Sequence, residues 1–189
     1  MPNLTDSIAG MATKQTPGSA PSPASQGAKS QAAGAAATFA STVFSGAVLY
    51  LGSPSVEVTR AVMWALDITT RMLVVTDDQQ LAQRLRDQVD ADLRLSTHTQ
   101  NLSEFVADIA HNEFRLILLS NTDVALTDQT LTMLSPCGIA CGLGDTAMPS
   151  ANAEFTVWHP ETSEIAWVLS RRARPVAKRR GGALARRRA

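Results

Sequence analysis

The sequence predicts an α/β fold, a doubly wound five-stranded parallel sheet over residues 71–172. Three observations predict it. Apolar runs of strand length recur, Met72-Leu73-Val74-Val75 and residues 114–119 foremost among them. They alternate with stretches whose apolar residues repeat at helical spacing, most cleanly Leu102, Phe105, Val106, Ile109 and Ala110. Helix-start patterns stand close behind strands: Thr76-Asp77-Asp78-Gln79 fits a capping box, and Asn101-Leu102-Ser103-Glu104 is a similar signal.

Taken in order, residues 1–34 are rich in Ala, Ser, Gln, Gly and Pro and offer little apolar area to offset ordering entropy, so disorder is expected. Residues 35–70 form an apolar extension. Phe39, Val43, Ala47 and Leu51 recur at helical spacing, while residues 47–52 alone read as a short buried strand. A strand in the sheet, a helical hairpin and a membrane contact all stay open here. The uncharged stretch 30–56 is mostly Ala, Gly, Ser and Thr and does not read as a membrane span. Ser53-Pro54 starts a helix with Val58, Val62, Met63 and Leu66 on one face.

The run 72–75 has no polar residue, as a central parallel strand requires. A helix over 78–89 turns Leu81, Ala82, Leu85 and Val89 inward, and 93–97 alternates like an edge strand. After the helix that starts at Asn101 come a strand over 114–119, a helix over 125–134 stopped by Pro136, and strands over 137–143 and 155–158. A last helix is expected over 162–172, with Ile165, Val168 and Leu169 inward.

Net charge is zero, yet residues 72–170 carry 14 acidic and 4 basic side chains, and residues 171–189 carry 9 basic and no acidic ones. An acidic body with a basic tail predicts a polarised choice of partner. Cys137 and Cys141 lack the spacing of a zinc or redox pair and read as small buried residues in a reducing, cytoplasmic setting.

The order of elements over 71–172 resembles the receiver domain of bacterial two-component response regulators. Asp77 and Asp78 match that family's magnesium-binding acidic pair. Ser120 stands where the resemblance calls for the phosphorylated Asp, Gly144 where it calls for a Thr or Ser, and His159-Pro160 where it calls for Lys-Pro. A serine without an adjacent base is a poor phosphoryl acceptor, and a neutral histidine is a poor substitute for a fixed cation. The resemblance therefore implies a degenerate pseudo-receiver. It would be non-enzymatic, have no cofactor beyond weakly bound Mg2+ at Asp77 and Asp78, and act in signal transduction as a regulatory or scaffolding protein-binding module that could pair as a homodimer.

Beside this, Asp77-Asp78 serves equally as a well-placed helix start. Gly142-Leu143-Gly144-Asp145 reads as a tight turn, His98, His111 and His159 as surface residues, and Ser120, His159 and Asp77 lack the elbow of a catalytic triad. The alternative function is nucleic-acid association through the tail. Arg171, Arg172, Arg174, Lys178, Arg179, Arg180, Arg186, Arg187 and Arg188 would bind phosphate, or another anionic surface, without base stacking. A third expectation is a small ligand at the carboxyl ends of the strands.

Overall fold

The computed structural model describes residues 23–43, 45–89, 92–109, 114–150, 154–160 and 164–171. Its elements run α1 (Pro23–Ala40), β1 (Ala47–Gly52), α2 (Val56–Ala65), β2 (Arg71–Thr76), α3 (Gln79–Val89), β3 (Leu95–Thr99), α4 (Leu102–Asp108), β4 (Phe114–Ser120), α5 (Val124–Leu131), β5 (Leu134–Leu143), β6 (Phe155–Trp158) and β7 (Ile165–Arg171). The seven strands form one sheet in the order β3-β2-β1-β4-β5-β7-β6. The strands from β3 to β5 pair in parallel, while β7 runs antiparallel to both β5 and β6.

This corrects the five-stranded parallel sheet. The ambiguous run at 47–52 is β1, and it lies at the middle of the sheet because Val48, Leu49, Tyr50 and Leu51 are all buried. The strand at 71–76 is therefore the second, not the first. The helix expected over 162–172 is the strand β7. Its Ile165, Trp167, Val168 and Leu169 are buried, so both faces are covered, which an apolar run of this length satisfies as a strand between β5 and β6. Helix α1 occupies part of the stretch expected to be disordered, and its Ala32, Ala33, Ala36 and Ala40 pack into the core.

Two apolar clusters cover the two faces. One gathers α1, α2 and α3 against Val48, Tyr50, Met72, Val74, Leu116 and Leu118; the other gathers α4 and α5 against Leu49, Leu51, Val75, Ile117 and Leu119. The alternation along β1 and β4 supplies both layers.

The helix starts follow local chemistry. Ser55 caps α2 by accepting from the Val58 N–H, and Asn101 caps α4 by accepting from the Ser103 and Glu104 N–H groups. At α3 the expected box is shifted: the Asp78 carboxylate accepts from the Gln80 and Leu81 N–H groups, while the Thr76 hydroxyl accepts from the Asp78 N–H. At the other end of α2, the Arg94 guanidinium donates to the carbonyls of Met63, Leu66 and Asp67 at 3.0–3.1 Å and pairs with the Asp92 carboxylate. One fixed cation thus takes up carbonyls that the helix end leaves open.

Arg94→Ala is expected to lower unfolding stability by about 2 kcal/mol, measured as a shift of the urea midpoint at unchanged slope. A shift below a few tenths would show that water serves those carbonyls as well.

Candidate functional site

The connections leaving β1 and β2 run through α2 and α3 on one face, and those leaving β3 and β4 run through α4 and α5 on the other. They diverge between β1 and β4, and open α/β sheets bind ligands at the carboxyl ends of their strands where this happens. The register sets one row of residues across that rim. Leu51 pairs with Val75, Thr76 with Thr99, Gly52 with Ser120 and Ser120 with Leu143, so Thr99, Thr76, Gly52, Ser120 and Leu143 lie level.

At the centre of the row the two diverging strands touch. Gly52 has φ +106°, and a Cβ there would stand 1.9 Å from the Ser120 carbonyl oxygen. Only glycine permits that approach. The Ser53 N–H donates to the same carbonyl at 3.0 Å, and the Ser55 N–H donates to the Tyr50 hydroxyl at 3.1 Å. Tyr50 lies fully buried beneath the turn. Burial pushes its phenol up to about 12, a rise only tempered by the Ser55 N–H and the Ser120 hydroxyl, so it stays a neutral post.

On the β2 side, the acid pair divides its work. Asp78 is spent on capping α3, while the exposed Asp77 carboxylate has no hydrogen bond or ion pair among the described residues. No group of three or more His, Cys, Asp or Glu among the described residues could hold a metal ion. On the β4 side, Asn121 is exposed with φ 58°, and its N–H donates to the Thr146 hydroxyl at 3.1 Å. That hydroxyl also lies 2.6 Å from the Leu143 carbonyl and 3.1 Å from the Leu119 carbonyl. The Ala147 N–H donates to the Thr122 carbonyl, and the Trp167 Nε1–H to the Ala147 carbonyl. The segment after β5 is thereby strapped across the ends of β4 and β5.

The other expected site residues scatter. Ser120 ends β4, Gly144 follows β5 with φ +59°, and exposed His159 follows β6 with Nδ1 3.4 Å from the Ala166 carbonyl. Arg171, the first of the expected basic residues, lies within the sheet. It ends β7, where its guanidinium donates to the Leu134 carbonyl and pairs with Glu154 at 3.2 Å. Arg172, Arg174, Lys178, Arg179, Arg180, Arg186, Arg187, Arg188 and His111 lie outside the described residues. Gly52, Tyr50 and Asn121 were not among the expected site residues. The Gly-Ser-Pro that ends an apolar run was the signal for the first.

No protein-family model matches the chain, and no curated protein sequence matches it. Its fold is that of several solved structures. A protein from Corynebacterium glutamicum superposes with TM-score 0.62 at 13% identity, over 82% of this chain and 85% of that one. A methyltransferase from Geobacter sulfurreducens gives TM-score 0.63 at 10% identity, over 75% and 79%. The O-methyltransferase TomG from Streptomyces achromogenes, involved in tomaymycin synthesis and solved in complex with SAM, gives 0.60 at 10% identity, over 76% and 80%.

These neighbours and the strand order overturn the receiver resemblance. A receiver sheet has five strands in the order 2-1-3-4-5, whereas here a strand precedes the acidic one and an antiparallel pair closes the far edge. The readings that depended on it are corrected with it: the non-enzymatic adaptor, its place in signal transduction, and the absence of any cofactor beyond Mg2+. The nucleic-acid alternative gains no support from a fold shared with methyltransferases. No helix among the described residues is long and apolar enough to cross a membrane.

Gly52→Ala is expected to cost at least about 3 kcal/mol, from the positive φ and the collision with backbone, read as lost thermal stability. Near-wild-type stability would mean that β1 and β4 can part at the rim. Cys137 is exposed, whereas burial raises Cys141 to about 12. A thiol reagent at neutral pH should titrate one cysteine in the native chain and two in denaturant; two fast native thiols would contradict the burial of Cys141.

Proposed function

We propose that this chain binds S-adenosylmethionine at the carboxyl rim of β1 and β2 and serves methyl transfer to an acceptor held above β4 and β5. The supporting observation is the strand order, with β7 antiparallel between β5 and β6, in a fold that solved methyltransferases share. The reading carries a reducing, cytoplasmic setting with it, in keeping with two free thiols.

The rim fits the nucleoside half of that cofactor. A ribose presents neighbouring hydroxyls, and a carboxylate at the end of the strand beside β1 is the group that accepts from them in related α/β sites. Asp77 stands one residue beyond Thr76, level with the Gly52 turn, and its oxygens are unengaged. Asp78 cannot share the task because its carboxylate already holds the start of α3. When bound, the cofactor would supply a methyl group activated by its positively charged sulfur.

The chain's own part is binding and orientation. Asp77 would accept from the ribose, and its negative charge would favour a cationic ligand over a neutral one. The strap at Thr146 and Ala147 fixes the floor beside Asn121, whose exposed amide can donate to and accept from an acceptor molecule. Tyr50 stays protonated at neutral pH and holds the turn. It is a positioning residue.

S-adenosylmethionine should raise the melting temperature, and Asp77→Asn should weaken its binding roughly tenfold by calorimetry. A flat thermal response together with no measurable heat would end this reading.

A further inference from the structure

We infer that the face at the amino ends of β2 and β3 is an interface between two copies of this chain, related by a two-fold axis that passes close to Trp64. This holds whether or not the carboxyl rim takes the cofactor, since the rim lies at the other end of the sheet.

The starting observation is an apolar surface that the fold leaves in water. Trp64 is 85% exposed in the last turn of α2, Ile68 is 82% exposed in the connection to β2, and Leu93 is fully exposed before β3. Single apolar residues scattered over a surface need no explanation, but these three are gathered in one place. The Arg94 guanidinium takes the carbonyls of Met63 and Asp67, so their neighbours Trp64 and Ile68 are held beside Leu93, which precedes Arg94 in the chain. The same guanidinium pairs with Asp92. The backbone that carries the three side chains therefore has little order left to lose when a partner arrives.

Shape and charge point to a second copy as that partner. Trp64 stands at a hollow of about 770 Å³, which it lines together with Met63, Val89 and Arg94. One face thus carries both a projecting ring and a space to receive one, as a contact between identical surfaces requires. The border of the hollow carries exposed Arg60 and exposed Asp87, one charge of each sign. Arg60 donates to the Gln88 carbonyl at 3.2 Å, and the Asp87 carboxylate accepts from the Gln83 amide at 2.8 Å. Both partners are neutral, so the two side chains are held in place with their charges uncancelled. A partner of a single sign would be opposed by one of them. A second copy turned about the two-fold axis brings Arg60 toward Asp87 in both directions.

The available area agrees. The three side chains expose roughly 500 Å² on each copy, so two copies meet over about 1,000 Å² before the polar border is counted, the size at which specific interfaces begin. Tryptophan is among the residues most enriched at the centres of such interfaces.

The experiment is sedimentation velocity on the full chain over a range of concentrations. A dimer with a dissociation constant of about 10 µM or tighter, weakened at least about thirtyfold by Trp64→Lys, supports the inference. The substituted side chain is exposed, and a cation suits the end of a helix, so the variant is expected to fold. Leu93→Glu should weaken the dimer at least about tenfold and takes its place should it not fold. A chain that stays monomeric through the range overturns the inference, whether the face is bare or covered by something else. So does a dimer that the folded variant leaves intact, because its contact would lie on another face.

Discussion

Gly52 and the Ser120 carbonyl are in contact where the chain's two windings part, and the arrangement of the sheet depends on that contact. A side chain at position 52 would have to occupy the place of the Ser120 oxygen. With glycine there, β1 and β4 stay paired to their last residues, and the Ser53 N–H closes the pair with one more hydrogen bond. Helices α2 and α3 leave toward one face and α4 and α5 toward the other from either side of this point. The buried Tyr50 beneath it ties the turn to the core, since its hydroxyl takes the Ser55 N–H that starts α2.

The closed seam leaves exposed polar groups to either side of it on the rim: Asp77 beyond β2 and Asn121 beyond β4. The division of labour between Asp77 and Asp78 follows from geometry alone. The residue that reaches the open N–H groups of α3 is consumed by capping, and its neighbour is left to solvent. A similar economy governs Arg94 and Arg171, two cations whose donors go to carbonyl groups of their own chain.

Much of the parallel half of the fold was legible in the sequence. The runs at 72–75 and 114–119 are apolar because β2 and β4 are covered on both faces, and the cap at Asn101 stands where it was expected. Two elements were not legible for physical reasons. Phe39, Val43, Ala47 and Leu51 keep helical spacing across the end of α1 and into β1, so periodicity joined what the chain separates with a turn. Ile165, Val168 and Leu169 fit a helix face equally well as a strand, and only pairing with β5 and β6 decides between them. Missing β1 made the acidic strand look like the first, and reading β7 as a closing helix left five strands; the two together produced the receiver resemblance. Of the site, the acid pair was visible, but which member is free depends on the capping geometry of α3.

Backbone amide shifts on titration with S-adenosylmethionine test the site's location most directly. Changes gathered at Gly52–Ser53, Thr76–Asp77, Thr99–Asn101 and Asn121 are the expected result, since these residues border one rim of the sheet. At the opposite end a cavity of about 770 Å³ is lined by Arg60, Trp64, Asp87, Asp92 and Arg94 among others. Shifts gathered there, with the carboxyl rim unmoved, would contradict the placement of the site.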